Sequence, residues 1–166
     1  MSLTDVIEGT RQAVAANSDN AKALFRVEHQ LVGVTEVHGT TGSGHRVTVD
    51  EPSSLGGANV AANPVEYALA ALGSCQAITY RFWAAQLGIS FDSLSVDVEG
   101  DLDVRGFFGI DPTVRPGCDQ VRVTVRIAGP EADERYHELH RAVDEHCPVL
   151  DMFANPVPVA VQLQVG

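Results

Sequence analysis

Residues 63–88 constrain the fold more than any other stretch, because they carry a helix start signal, a helix stop signal and almost no polar side. Asn63 suits the N-cap, Pro64 suits the first helical position, and Glu66 can complete a capping box by reaching back to the N–H of the cap. Gly88 suits the left-handed residue that ends a helix. The apolar residues in between leave no broad polar face, so we predict a long central helix that protein covers on most sides.

Alternation of apolar and polar residues predicts strands before and after this helix. Residues 39–44 are rich in glycine and threonine and are predicted to form a turn. Residues 100–119 contain two prolines and four glycines and read as a long connection, anchored by Phe107 and Phe108. The predicted strands lie at residues 24–32, 34–38, 46–49, 94–98, 121–127 and 159–165. The first three form a meander in the simplest interpretation.

Two further helices are predicted. Residues 1–20 contain a short amphipathic helix and form a predicted N-terminal helical arm. A second amphipathic pattern ends near Cys147, because the residue before Pro148 disfavours the helical conformation. No linker is long enough to separate two domains, so the pattern predicts a single α+β domain over residues 1–166, with segregated antiparallel strands and helices.

The apolar character of the central helix also predicts a partner subunit. One sheet of about six strands covers a single face of a helix, whereas residues 63–88 are apolar on nearly every side. We therefore expect a second copy of the chain to help bury the helix, because most soluble oligomers are symmetric homo-oligomers.

Composition excludes several classes of partner. The sequence holds 11 Lys+Arg against 22 Asp+Glu, a net charge of −11, which repels phosphate backbones and anionic lipid surfaces. Glu66, Gln76 and Arg81 interrupt the apolar run of the central helix, which argues against a membrane span. The first residues lack the pattern of a secretory signal. We predict a cytoplasmic protein that binds neither nucleic acid nor membrane.

The three cysteines allow two interpretations. Their spacing fits neither a secreted disulfide scaffold nor a zinc site, so no metal is predicted. Cys75, in the middle of the central helix, is either a buried small hydrophobe or a peroxide-reducing thiolate. The second interpretation requires a nearby cation and another thiol that captures the sulfenic acid. Cys147, which Pro148 places at a helix boundary, is the better candidate for that thiol, and Cys118 reads as an incidental surface cysteine.

Three short motifs carry a resemblance to a known family. They are the Pro64-x-Glu66 helix start, Cys75 nine residues after the glutamate, and Cys147-Pro148 far downstream. Further matching stretches lie at residues 50–57, 70–75, 99–106, 147–149 and 155–157. In combination they resemble the OsmC/Ohr family of osmotically induced and organic-hydroperoxide-resistance proteins, from about residue 23 onward.

This resemblance implies a fold and an activity. The implied OsmC-like fold has antiparallel sheets packed around a long buried central helix in an intertwined homodimer, in which the two cysteines of one subunit meet at the subunit interface. The implied activity is thiol-dependent reduction of organic hydroperoxides, with Cys75 as the peroxidatic residue and Cys147 as the resolving residue. An external dithiol restores the pair, and no cofactor is required.

The groups that activate the thiolate in this family match the sequence less closely. Family members use an arginine from the N-terminal strands and a glutamate at the start of the central helix. Arg46 and Arg26 are the candidate arginines, with Arg46 preferred because a glycine-rich turn can place it at a subunit interface. Glu66 lies nine residues before Cys75, which is about 180° around a helix. For Glu66 we therefore favour the capping role over a catalytic one.

Two functions remain in competition at this stage. The first is an antioxidant thiol peroxidase of the oxidative stress response, with an apolar pocket lined by Leu72, Ile78 and Phe82 that favours organic hydroperoxides over hydrogen peroxide. The second is a non-catalytic dimeric module of the same fold that binds a small apolar ligand, with Cys75 and Cys147 as packing residues. A disulfide between these two cysteines after treatment with peroxide distinguishes the two functions.

Overall fold

The structure is a computed structural model that describes residues 2–166, and it confirms an α+β fold with antiparallel strands. The chain divides into two compact units. The first comprises Met1–Ala71 and Glu99–Val121, and the second comprises Leu72–Val98 and Arg122–Gly166. The boundary between the units falls within the central helix and within both strands that follow it.

The helices and strands among the described residues follow the predicted order except at the C-terminus and between the two strands after the central helix, where a short helix was not predicted. The helices are α1 (Leu3–Ala16), α2 (Pro64–Leu87), α3 (Val104–Phe107), α4 (Asp133–His146) and α5 (Pro148–Ala154). The strands are β1 (Val27–Leu31), β2 (Val37–Thr41), β3 (Arg46–Val49), β4 (Ser93–Asp101) and β5 (Gln120–Ala128). Two short 3-10 turns lie at Ser18–Ala21 and Ser53–Leu55.

The predicted meander forms an antiparallel sheet in the order β1-β2-β3. The turn predicted at residues 39–44 is shorter in the structure, because β2 continues to Thr41 and pairs with both β1 and β3. The chain reverses after it, where Thr41 N donates to His45 O over 2.9 Å and Gly44 adopts a φ of 88°. At Gly39 a Cβ would lie 2.8 Å from the His29 ring, so glycine there permits close cross-strand packing.

A buried carboxylate organises the loop after β3. Asp50 is 1% exposed, and its Oδ1 accepts from Thr35 Oγ1 over 2.6 Å and from Glu51 N over 2.9 Å. Its Oδ2 accepts from Ala58 N over 2.9 Å and from Val60 N over 3.2 Å. The Thr35 hydroxyl and these backbone donors lower the pKa of Asp50, against the opposing effect of burial. One side chain thus fixes the loop that leads into α2.

The start and stop signals of α2 have the predicted geometry. Asn63 Oδ1 accepts from Glu66 N over 2.8 Å, and Glu66 Oε2 accepts from Asn63 N over 2.9 Å, so both hydrogen bonds of a capping box are present. The helix ends before Gly88, whose φ is 65°. Among residues 2–166, no helix is both long and apolar enough to cross a membrane.

Within one chain, α2 buries one face and exposes another. Its buried residues are Leu72, Gln76, Thr79, Tyr80 and Ala84. On another face Ile78 is 59% exposed and Phe82 is 37% exposed. Since the hydrophobic effect disfavours such a surface in water, the helix retains apolar area that a single chain leaves uncovered.

The second unit contains the apolar core. Strands β4 and β5 pair with each other, and half-buried residues alternate with exposed ones along β4. Leu139 and Val143 of α4 are fully buried. The core cluster consists of Tyr80, Ala84, Ile89, Phe91, Leu139 and Val143. The amphipathic pattern of α4 therefore positions this helix as predicted, with its apolar stripe in the core.

Three predictions about connecting segments are wrong or incomplete. Phe107 and Phe108 do not anchor the connection between β4 and β5, because they are 67% and 55% exposed and pack edge to face on each other. The predicted strand at 159–165 is absent, and residues 155–166 are irregular and exposed. An alternating pattern becomes a strand only beside a partner edge, and no described strand pairs with this segment. Helix α5, which begins at Pro148, was not predicted.

The N-terminal arm forms as predicted but buries nothing within the chain. Helix α1 begins at a capping box in which Ser2 and Asp5 exchange hydrogen bonds of 2.7 and 3.1 Å. None of its residues is buried. Local capping signals thus suffice to indicate this helix even where tertiary packing is weak.

Candidate functional site

The second unit brings together the two cysteines that the sequence singles out. Cys75 lies in the middle of α2 and is partly buried. Cys147 is 1% exposed and occupies the junction between α4 and α5. Its N–H donates to Val143 O over 2.9 Å, and its carbonyl accepts from Asp151 N over 3.0 Å. Backbone hydrogen bonds of two helices therefore hold Cys147 in position.

Cys75 lies close enough to Cys147 to affect the ionisation of the Cys147 thiol. Burial raises the pKa of the Cys147 thiol, and the hydrogen bond and charge of Cys75 raise it further. The N–H of Leu150 and the hydroxyl of Thr79 act in the opposite direction on the same pKa. Burial thus favours the protonated form of the Cys147 thiol, and Cys75 is the more exposed of the two residues.

Thr79 supports this arrangement, although sequence reasoning missed it. Its hydroxyl donates to the Cys75 carbonyl over 2.8 Å, and the same hydroxyl acts to lower the pKa of the Cys147 thiol. The signal was available, because Thr79 lies one turn after Cys75 on the same face of the helix. The Thr79 hydroxyl therefore lies between the turn of α2 that carries Cys75 and the thiol of Cys147.

His146, the neighbour of Cys147, has a packing role. Its ring centroid lies 4.2 Å from that of Trp83, and its Nδ1 is 2.8 Å from the Ala142 carbonyl. An imidazole in this position stabilises the last turn of α4. The aromatic contact fixes the end of the helix from which Cys147 continues.

The predicted activating residues lie in the first unit. Glu66 is engaged in the capping box of α2. Arg26 precedes β1 and makes a long, exposed ion pair of 3.9 Å with Glu28. Arg46 begins β3 and is exposed. That Glu66, Arg26 or Arg46 lies near the Cys75 thiolate stays a prediction. Cys118 also lies in the first unit, where its sulfur packs close to Gly100 and is partly buried.

The predicted apolar pocket residues flank Cys75 but differ in exposure. Ile78 and Phe82 lie three and seven residues after Cys75, on its side of α2, and both are exposed. Leu72 lies about 120° around the helix from Ile78 and is 1% exposed. The pocket lined by these three side chains stays a prediction.

A cavity of about 540 Å³ in the second unit was not predicted. It lies among side chains of α2, β5, α4 and α5, and none of the cysteines lines it. Its polar residues include Gln76, and Tyr80 hydrogen bonded to His140. Tyr80 and His140 are sixty positions apart, so no local sequence signal connects them.

Comparison with known proteins identifies a matching family model and solved structures with a similar fold. The family model described as "OsmC-like protein" matches residues 56–162, which is more than half of the chain. Among functionally curated proteins, none matches the sequence significantly.

Three solved structures illustrate the likeness. An OsmC-like protein from Mycoplasma pneumoniae is 16% identical, with 81% of this chain and 90% of that chain covered at a TM-score of 0.69. An organic hydroperoxide resistance protein OsmC from Legionella pneumophila is 25% identical, covers 80% and 91%, and has a TM-score of 0.60. The organic hydroperoxide resistance protein OhrB of Bacillus subtilis is 20% identical, covers 86% and 98%, and has a TM-score of 0.54.

Proposed function

The chain belongs to the OsmC-like protein family, and on that premise we propose that it is a thiol-dependent peroxidase that reduces organic hydroperoxides to alcohols. Some structural neighbours are named organic hydroperoxide resistance proteins, which supports this substrate class. The observation that carries the proposal is the proximity of Cys75 to the buried Cys147 thiol, whose pKa it raises. Two neighbouring thiols are what a peroxidatic and resolving pair requires.

In the proposed first step, the Cys75 thiolate attacks the distal oxygen of the hydroperoxide. An S–O bond forms, the O–O bond breaks, and the alkoxide takes a proton and leaves as the alcohol. Cys75 is oxidised to a sulfenic acid and the hydroperoxide is reduced by two electrons. Cys75 suits this role better than Cys147, because Cys147 is almost inaccessible and its pKa is raised by burial.

In the proposed second step, the Cys147 thiol attacks the sulfenic sulfur of Cys75. A disulfide forms and the sulfenic oxygen leaves as water. Because Cys75 lies near the Cys147 thiol, disulfide formation requires little movement of the α4–α5 junction. An external dithiol then reduces the disulfide by thiol exchange and is itself oxidised. We place this cycle in the cytoplasm, where reduced thiols are available.

The proposal includes a homodimer. The exposed apolar side chains Ile78 and Phe82 adjoin Cys75 on α2, and apolar residues of β1 such as Leu31 are also exposed. A second copy that covers these surfaces removes apolar area from water. It also supplies a dry wall beside Cys75, against which the organic part of a hydroperoxide can bind. Arg46 or Arg26 is the proposed cation beside the thiolate.

The test is a titration of reduced protein with one equivalent of cumene hydroperoxide, followed by peptide mass mapping. We expect a Cys75–Cys147 disulfide, which Cys75→Ser abolishes and Cys118→Ser leaves intact. In Cys147→Ser we expect a sulfenic acid at Cys75. Hydrogen peroxide, which lacks an organic part, should react more slowly.

Two results would contradict the proposal. If both thiols stay free after treatment, the chain is not a peroxidase, and the non-catalytic module becomes the better description. If hydrogen peroxide is consumed as fast as cumene hydroperoxide, the preference for organic substrates is wrong. Sedimentation at several protein concentrations tests the dimer separately from the chemistry.

A further inference from the structure

One side of α2 faces the end of α4. Cys75, Thr79 and Trp83 follow one another at intervals of four residues, so their side chains lie along the same side of the helix. The ring centroid of Trp83 lies 4.2 Å from that of His146, the residue before Cys147. One turn before Thr79, Cys75 lies close enough to Cys147 to affect its ionisation. Thr79 therefore lies between two residues of α2 that both approach the α4–α5 junction.

The Thr79 hydroxyl is free to exchange its hydrogen-bond partner. Thr79 is 8% exposed, and its hydroxyl donates to the Cys75 carbonyl over 2.8 Å. Within an α-helix the same carbonyl also accepts from the backbone N–H four residues later, which is the N–H of Thr79 itself. The hydroxyl can therefore turn away without leaving the Cys75 carbonyl unpaired. Because a hydroxyl has one donor hydrogen and two acceptor lone pairs, it can bond to a neighbouring thiol in either protonation state.

Two donors act on the Cys147 sulfur. Burial raises the pKa of this thiol, whereas the Leu150 N–H and the Thr79 hydroxyl lower it. A hydrogen bond lowers the pKa of an acid when it favours the ionised form, so both groups act as donors to the Cys147 thiolate. Of these two donors, the Thr79 hydroxyl belongs to a side chain, so a substitution can remove it.

The ionisable side chains on the three helices around Cys147 have separate roles. On α4, His146 Nδ1 is hydrogen bonded to a backbone carbonyl of its own helix over 2.8 Å. On α5, Asp151 Oδ1 accepts from Asn155 Nδ2 over 2.8 Å. On α2, Cys75 is the titratable side chain that acts on the Cys147 thiol. The charged groups nearest to Cys147 in the sequence thus bond to other partners.

We propose that Thr79 assists the resolving step, with a hydroxyl that turns from the Cys75 carbonyl to the Cys147 sulfur when that thiol loses its proton. This inference rests on the proposed function. Before the step, the Cys147 S–H donates to Thr79 Oγ1. During the step, the Thr79 hydroxyl donates to the thiolate and orients it toward the sulfenic sulfur of Cys75. An S–S bond forms, the S–O bond breaks, and the leaving hydroxide takes up the proton that Cys147 lost and departs as water.

The test follows the attack of Cys147 on the Cys75 sulfur without any peroxide. One equivalent of dithiobis(nitrobenzoate) is added to the reduced Cys118→Ser variant, whose remaining thiols are Cys75 and Cys147. Cys75, as the more exposed residue, takes the reagent and releases one thionitrobenzoate. Attack by Cys147 then forms the Cys75–Cys147 disulfide and releases a second thionitrobenzoate. The absorbance of this second release gives the rate of attack by Cys147.

Thr79→Val removes the hydroxyl and nearly preserves the shape of the side chain. Because hydrogen bonds to charged groups are strong, we expect the pH profile of the second release to move upward by about one pH unit. At neutral pH the release should slow by only about threefold, since a thiolate of higher pKa is also the better nucleophile. Thr79→Ser keeps a hydroxyl and should keep both the rate and the profile. Thr10→Val removes the same kind of hydroxyl bond, to the Val6 carbonyl in α1, and as the control should change neither.

Three results would overturn the inference. They are an unshifted pH profile in Thr79→Val, a rate lowered by the same factor at every pH in both Thr79→Val and Thr79→Ser, and no second release from the Cys118→Ser variant. Thermal melting verifies that each variant folds, and Thr79→Ala, which also lacks the hydroxyl, should shift the profile in the same direction. A protein that shows the second release but does not consume cumene hydroperoxide would contradict the peroxidase proposal alone.

Discussion

In the second unit, apolar side chains from α2, α4 and the segment after α2 form a closed cluster, whereas in the first unit the buried side chain among the described residues is a carboxylate. Other apolar groups cover Leu139 and Val143 completely, so neither residue contacts solvent. Around the Asp50 carboxylate, four hydrogen-bond donors of the protein take the place of solvent. The two units therefore rely on different forces, one on apolar burial and the other on hydrogen bonding.

This difference indicates which kind of change destabilises each unit. An apolar core loses free energy when its volume is reduced, because the cavity left behind does not close fully. A buried carboxylate instead depends on its charge, since protonation removes one of its acceptor positions and weakens its hydrogen bonds. Substitutions of similar size should consequently act differently in the two units.

The largest expected effect is in the apolar core. Leu139→Ala should lower the free energy of unfolding by about 3 kcal/mol, because Leu139 is 0% exposed. Urea unfolding monitored by circular dichroism measures this loss. A loss below about 1 kcal/mol would show that the cluster tolerates a cavity and would remove the contrast between the units.

Leu31→Ala is the matched control in the first unit. Leu31 is 64% exposed within the chain, so the isolated chain should lose no more than about 0.5 kcal/mol. A loss close to that of Leu139→Ala would instead show that a second copy buries β1. The control thus also tests the proposed dimer.

The next effect concerns pH and the Asp50 loop. The pKa of Asp50 is lowered from its ordinary 3.8 in the folded protein. Its contribution to stability is therefore fully present above that value and is lost as the pH falls through the lower folded-state pKa. Hydrogen exchange should show the amides of Ala58 and Val60 losing protection on acidification, before the amides of α4 do.

Asp50→Asn should reproduce this loss of protection at neutral pH. An asparagine amide nitrogen cannot accept the hydrogen bonds that one carboxylate oxygen now receives. Asp92→Asn, at an exposed carboxylate of the second unit, is the control and should leave the loop protected. Equal exchange in the two variants would mean that Asp50 does not organise the loop.

The smallest effects are at the start of α2. Asn63→Ala should cost about 1 kcal/mol, whereas Glu66→Gln should cost only a few tenths because glutamine can also complete a capping box. Peroxide consumption by Glu66→Gln should be unchanged. A large fall in rate with unchanged stability would assign Glu66 to catalysis instead of capping.

How far the sequence predicts this molecule depends on the range of each signal. The capping box of Asn63 and Glu66 and the stop at Gly88 are local, so the pattern alone indicates them correctly. The pairing of Cys75 with Cys147 rests on the family resemblance and stays a prediction, although Cys75 lies close enough to Cys147 to raise its pKa. The pairing of Tyr80 with His140 depends on two distant helices, and no sequence pattern encodes that distance.

The wrong predictions share a physical cause. Val159 and Val161 alternate as strand residues do, yet they are 81% and 88% exposed because no described strand pairs with them. Phe107 and Phe108 are apolar but have no core to enter within the first unit. Apolar patterning predicts that a surface is buried, but it does not predict which molecule buries it.

If the proposed homodimer buries the exposed residues 155–166, the last stage of folding depends on protein concentration. Their alternating valines gain contacts only from another strand edge, so a step that buries them in a second copy is bimolecular and accelerates as chains become more abundant. Before a second copy binds, the unpaired backbone of this segment can pair with the edge of any exposed strand, whether that pairing is native or not. In that case dilution prolongs the period in which a newly synthesised chain is exposed to misassembly and proteolysis.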